Sequence, residues 1–102
     1  MWYLVEQYQP GTDIGELRRA TARLADAAAA LTTDGVKVRF AGASFVASDE
    51  CCMCRFESDS IDAVRTVCQR AQFPYDRILL VDEVNASADE SCGEPGRSAS
   101  SS

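Results

Sequence analysis

Two stretches with helical spacing of apolar residues, each opened by an aspartate and each set between short aromatic or β-branched runs, constrain this chain most. A helix that buries one stripe between two strands has to lie against a sheet. The first run, WYLVEQY at residues 2–8, reads as a strand. QPGTD is a turn, and Asp13 stands as an N-cap with Glu16 three residues on, the spacing of a capping box. Ile14, Leu17, Thr21, Leu24, Ala28 and Leu31 then trace a helical stripe, and Gly35 is placed to close the helix as a left-handed cap. VKVRF alternates strictly, with Val36, Val38 and Phe40 on one face and Lys37 and Arg39 on the other. AGASFV continues the strand, and Gly42 marks a bulge or bend. After the turn ASDE comes the strand CCMCRFE. A second helix follows, capped by Asp59 with Asp62 three residues on, its stripe running through Ile61, Val64, Val67 or Cys68, and Ala71. Pro74 stops it, and YDRILLVDEV is the last strand.

The order strand, helix, strand, occurring twice, is the split βαβ pattern. Right-handed crossovers place both units on one sheet. The fold class is therefore α+β: a ferredoxin-like βαββαβ domain whose four-stranded antiparallel sheet carries both helices on one face. The domain is assigned to residues 1–85. Residues 86–102 are small, polar and Ser/Gly-rich, and are expected to form a disordered tail. At 102 residues, 46% of them apolar, the chain suffices for one core.

Charge and cysteine usage exclude several functions. A net charge of −6 with a single lysine repels a phosphate backbone, so nucleic acid is not an expected partner. No run approaches the roughly 18 apolar residues of a membrane span, and the N-terminal residues carry no basic, apolar and cleavable series. The expected location is the cytoplasm, with reduced thiols. There is no histidine. That removes the commonest metal ligand and the Ser-His and Cys-His catalytic pairs.

Two helices cover one face of a four-stranded sheet and leave the other to water or a partner. Alternation assigns Trp2, Leu4, Glu6, Tyr8, Arg39, Met53, Arg55 and Glu57 to that outer face. Its apolar content predicts cover by a second copy in a two-fold dimer, a dimeric α/β barrel. Glu6, Glu57, Arg39 and Arg55 then have two readings. They are cross-strand ion pairs at the interface, or a catalytic set in which Glu6 or Glu57 exchanges protons and Arg39 or Arg55 steadies an anion.

ECCMCRFE, residues 50–57, raises the question of metal. Cys51 and Cys54 have C-x-x-C spacing, but on a strand positions three apart point to opposite faces. Cys52 and Cys54 share a face at roughly 6.5–7 Å between backbones, long for a disulfide. Cys68 on the second helix could face them. The three are buried small apolar residues, or a thiolate site for a soft transition metal. Cys51 faces outward and is the candidate reactive thiol, its pKa lowered by Arg39 or Arg55. No other cofactor is expected.

YLVEQYQPG, the long segment FVASDECCMCRFESDSIDAVRTVCQRAQFPYDRI and the closing LLVDEV resemble a small bacterial, largely actinobacterial, ferredoxin-like family of unknown function, some of whose members are described as nickel-binding proteins. Cys54, Glu57, Pro74, Asp76 and Arg77 stand at matching places, as does Glu6 in the first strand. The resemblance spans roughly residues 3–84 and implies the same fold, a homodimer and metal binding. Nickel-binding relatives use a histidine near the end of the second strand, where this chain has Ala43 or Ser44. The functional expectation is a small dimeric ligand- or metal-binding protein. The alternative is a cofactor-free isomerase, cyclase or monooxygenase acting on a small organic molecule through Glu/Arg chemistry. A purely structural or regulatory partner protein is the third class.

Overall fold

The computed structural model describes residues 1–82. The element order is β1 (Trp2–Tyr8), α1 (Ile14–Thr33), β2 (Val38–Val46), β3 (Cys51–Ser58), α2 (Ile61–Arg70) and β4 (Arg77–Val81). The strands form one antiparallel sheet in the order β2-β3-β1-β4. This is the ferredoxin-like α+β arrangement, with β1 and β3 central and β2 and β4 at the edges. The assigned tail, residues 86–102, and the last residues given to the fourth strand lie outside the described residues.

Alternation on β1 sorts the sheet. Tyr3, Val5 and Gln7 are buried under the helices, whereas Trp2, Leu4, Glu6 and Tyr8 look the other way. Gln7 is a polar residue on the core side, and its amide donates to the Pro74 carbonyl at 2.6 Å. That bond satisfies the buried group and ties β1 to the approach to β4. β3 continues the same parity, with Cys52, Cys54, Phe56 and Ser58 inside. Phe56 is fully buried and meets Phe40 edge-on at 5.3 Å. Leu17, Leu24, Ala28 and Leu31 of α1 and Val64, Val67 and Cys68 of α2 close the core from above. Ile14, expected on the α1 stripe, is exposed; the buried stripe of the helix begins at Leu17.

The caps explain where the helices begin. Asp13 accepts the Glu16 backbone N–H at 2.8 Å, as its position in the sequence predicts. Gly35 follows the end of α1 at φ +93°, and its N–H donates to the Thr32 carbonyl. The second cap differs from the expectation: Ser60, not Asp59, accepts the Ala63 N–H at 3.1 Å. Ser58 remains paired in β3 and its hydroxyl accepts the Ser60 N–H, so the chain leaves the strand one residue later than an Asp59 cap requires. β2 likewise starts at Val38, not Val36. The ladder slips between Phe40 and Gly42, with Gly42 at φ +125°, the bulge that its glycine suggests. Ala41 is the extra residue.

Asp13→Ala and Ser60→Ala should each destabilise the protein by about 1 kcal/mol, and Asp59→Ala by less than about 0.5 kcal/mol. Urea unfolding at one fixed protein concentration checks this. Equal losses for Asp59→Ala and Ser60→Ala would contradict the observed cap.

Candidate functional site

The outer face of the sheet gathers the charged residues that the alternation assigned to it. Trp2 lies opposite Glu57, Leu4 opposite Arg55, and Glu6 opposite Met53 across β1 and β3. On the far side of β3, Arg39 stands opposite Glu57 and Gly42 opposite Arg55. β4 contributes Arg77, Leu79 and Val81, aligned with Glu6, Leu4 and Trp2. The face is a row of half-buried apolar side chains with ionised groups set between them.

Those ionised groups divide into two pairs and a remainder. Arg39 Nη2 donates to Glu57 Oε1 at 2.9 Å, and its guanidinium lies 5.5 Å from the Trp2 ring centre. Glu6 Oε1 accepts from Arg77 Nε at 2.7 Å. Glu6 is the shielded partner at 16% exposure, while Arg77 is 64% exposed. Its hydrogen bond to Glu6, and then the charge of that carboxylate, raise the pKa of Arg77. Arg55 has no ion pair or side-chain hydrogen bond among the described residues. The four expected residues thus share one face, but do not form one cluster. Glu57 and Arg39 pair with each other, Glu6 pairs elsewhere, and Arg55 stands between them.

Arg77 is not among the candidate site residues named from the sequence, where it and Asp76 stand as neighbours at the start of the last strand. The structure gives the two residues different jobs. The Asp76 carboxylate accepts the Tyr8 N–H at 2.5 Å and the Asp76 N–H donates to the Glu6 carbonyl at 2.8 Å. This clamp fastens the start of β4 to β1 and delivers Arg77 to Glu6. The antiparallel closing of the sheet brings positions 6 and 77 together, and nothing local in PYDRI announces it.

A groove of about 610 Å³ lies between α1 and the β2 edge. Ala25, Ala28, Ala29 and Thr32 form its helical wall, Val38 and Phe40 its strand wall, and Met1 its end. Lys37, Asp59 and the Arg39–Glu57 pair stand at its rim. The size is that of a small-molecule pocket. The Arg39–Glu57 pair therefore borders both the groove and the outer face.

The cysteines separate by strand parity. Cys52, Cys54 and Cys68 are buried in the core. The Cys52 and Cys54 sulfurs are 3.9 Å apart, in hydrogen-bond contact. That contact eases ionisation of Cys52, and together with burial it pushes Cys54 up. Burial pushes Cys68 up to about 11. Cys51 is half-buried on the outer side, opposite Tyr8 and Val46. Its pKa is raised, first by burial and then by the Glu6 carboxylate, contrary to the expected lowering by an arginine. Arg39 is held at the other end of the face by Glu57 and Trp2, which is why it does not reach this thiol.

Residues 3–81 match the model of a protein family described as nickel responsive protein SCO4226-like. A solved structure, the crystal structure of SCO4226 from Streptomyces coelicolor A3(2), superposes with a TM-score of 0.66 at 23% identity. The match covers 83% of this chain and 100% of that one. No curated protein matches the chain significantly. The family's name raises the question of nickel donors. The chain contains no histidine, and among the described residues no three Cys, Asp or Glu side chains converge as a cation site. The donors present do not fit a nickel centre built on imidazole.

With Cys92 replaced by serine, no more than one thiol per chain should react with iodoacetamide in the folded protein. That thiol is Cys51. Its rate at neutral pH should fall below that of a small free thiol and rise with pH, because its pKa is raised. Cys52, Cys54 and Cys68 should react only in denaturant. Mass spectrometry of digested, alkylated protein identifies the site.

Proposed function

The chain belongs to the nickel responsive SCO4226-like family, and from that membership we propose a small homodimeric ligand-binding protein that uses its outer sheet face. The observation that carries this reading is the face itself. Trp2, Leu4, Met53, Leu79 and Val81 are half-buried apolar residues on a side that neither helix covers. A second copy applied by a two-fold axis would cover them, as in a dimeric α/β barrel. The ligand is a small organic molecule enclosed between the two faces. Nickel bound through imidazole is not part of the proposal, since the chain has no histidine. The free thiols among the described residues suit a reducing compartment, the cytoplasm.

Two other readings make different use of the same residues. A soft metal on Cys52, Cys54 and Cys68 has the 3.9 Å sulfur pair in its favour and the near-complete burial of all three against it. A cofactor-free enzyme would draw on Glu6, Glu57, Arg39 and Arg55, with Glu6 as acid or base. The engagement of Glu6 by Arg77 favours a positioning role for that carboxylate. Glu6→Gln separates them: it would abolish turnover in an enzyme and loosen the β1–β4 edge in a binding protein.

Native mass spectrometry of protein purified reduced, without chelator or affinity metal, tests the reading. The expected species has twice the 11.0 kDa chain mass and carries no nickel after dialysis against it. Bound metal that disappears in Cys54→Ser would replace the proposal with the thiolate site. A monomer across micromolar concentrations would end the two-copy reading.

A further inference from the structure

Among the described residues, the outer face holds two carboxylates, Glu6 and Glu57, and three guanidiniums, Arg39, Arg55 and Arg77. Two cations are matched within the chain. Arg55 is the surplus, and it sits at the centre of the sheet. Leu4 is its neighbour on β1 and Gly42 on β2. A Cβ built on Gly42 would meet nothing within 4 Å, so the guanidinium has open space on that side. Of the other described acids near this face, Asp49 lies ahead of β3 at its Cys51 end, away from Arg55, and two more are committed elsewhere. The Asp76 carboxylate takes the Tyr8 N–H, and the Glu50 carboxylate takes the Gly11 N–H. Cys51, at the far end of the face, has its pKa raised by burial and by the Glu6 carboxylate, which disfavours a thiolate there.

We propose that this face binds a small organic carboxylate with an apolar body, its charged end held by Arg55. The inference rests on the two-copy reading above, and symmetry gives it force. A two-fold interface opposes a patch to itself. The described residues of the covering copy therefore bring the same surplus cation and no spare carboxylate on this face, whichever way the pairs exchange. Closing the interface without an anion would bury two unmatched guanidiniums, a costly state. A carboxylate accepts two parallel N–H bonds from one guanidinium. The apolar side chains around Arg55, Leu4 and Met53 on neighbouring positions and Trp2 beyond, suit an aryl or alkyl body better than a bare inorganic ion.

The experiment is sedimentation equilibrium at constant ionic strength, with benzoate replacing chloride and neutral benzamide as the control. Emission of the single tryptophan, Trp2, provides a second readout on the same face. Benzoate should tighten the dimer about tenfold or more, the worth of one charge-assisted pair, and should shift Trp2 emission. Benzamide should do neither. Arg55→Met should dimerise more tightly than the parent in chloride and lose the benzoate response. Arg55→Lys, which keeps the charge without the planar fork, should retain only part of it. A dimer that responds equally to benzoate and benzamide, or an Arg55→Met dimer that still responds to benzoate, overturns this proposal alone. A chain that stays monomeric in both solutions overturns it together with the two-copy reading.

Discussion

The register between β1 and β3 runs without a slip from Trp2 opposite Glu57 to Tyr8 opposite Cys51, and the rest of the molecule is arranged around it. Because side chains alternate strictly along a strand, a shift of one residue would exchange the core and outer sets of both central strands. In the observed register Val5, Cys54 and Phe56 meet the helices, and Leu4, Arg55 and Glu57 do not. The irregularities lie at the edge. The bulge at Ala41 sits in β2, where the extra residue disturbs one ladder instead of two. Past it, Ala43 falls opposite Cys54 and Ser44 opposite Met53, so the strand ends in phase with the centre of the sheet.

The fold was legible because each local signal agreed with the next. Alternation in WYLVEQY and CCMCRFE, the Asp13 cap, the left-handed glycine at 35 and the bulge at Gly42 all point to one topology. The α2 cap was misplaced by a single residue because Asp59 and Ser60 are both good caps. Only the exit angle of β3, fixed by Ser58 pairing with Val38, chooses between them. The site was legible to a lesser extent. Parity placed Glu6, Arg39, Arg55 and Glu57 on one surface. That Glu6 meets Arg77 depends on how β4 aligns with β1, a contact between residues 71 positions apart. That alignment rests on the Asp76 clamp, which no local pattern around residue 76 announces.

Membership of a nickel-responsive family and the absence of histidine pull in different directions. The described core is hydrocarbon, aromatic and thiol, and the sheet is fastened by backbone and carboxylate hydrogen bonds. A family can therefore keep this scaffold while its ligand chemistry changes, since sites are grafted onto folds. In this scaffold the helices leave one sheet face uncovered. Here the described residues of that face carry an excess of positive charge on a chain of net charge −6. The sign of the local surface is opposite to that of the whole, so bulk charge is a poor guide to the ligand.

The segment ECCMCRFE shows how strand geometry limits chemistry. Cys51 and Cys54 have the spacing of a chelating pair, yet the strand sends one sulfur outward beside Glu6 and the other into the core. Cys52 and Cys54 do converge, to 3.9 Å, but inside a packed layer under Val64 and Val67, where a thiolate would be poorly solvated. The same stretch places Met53, Arg55 and Glu57 on the outer face. Core packing and ligand chemistry are thus interleaved residue by residue on one strand. A substitution at an even position acts through the interior, and one at an odd position acts through the surface. Cys54 and Arg55 are chain neighbours, but through the sheet they belong to different parts of the protein.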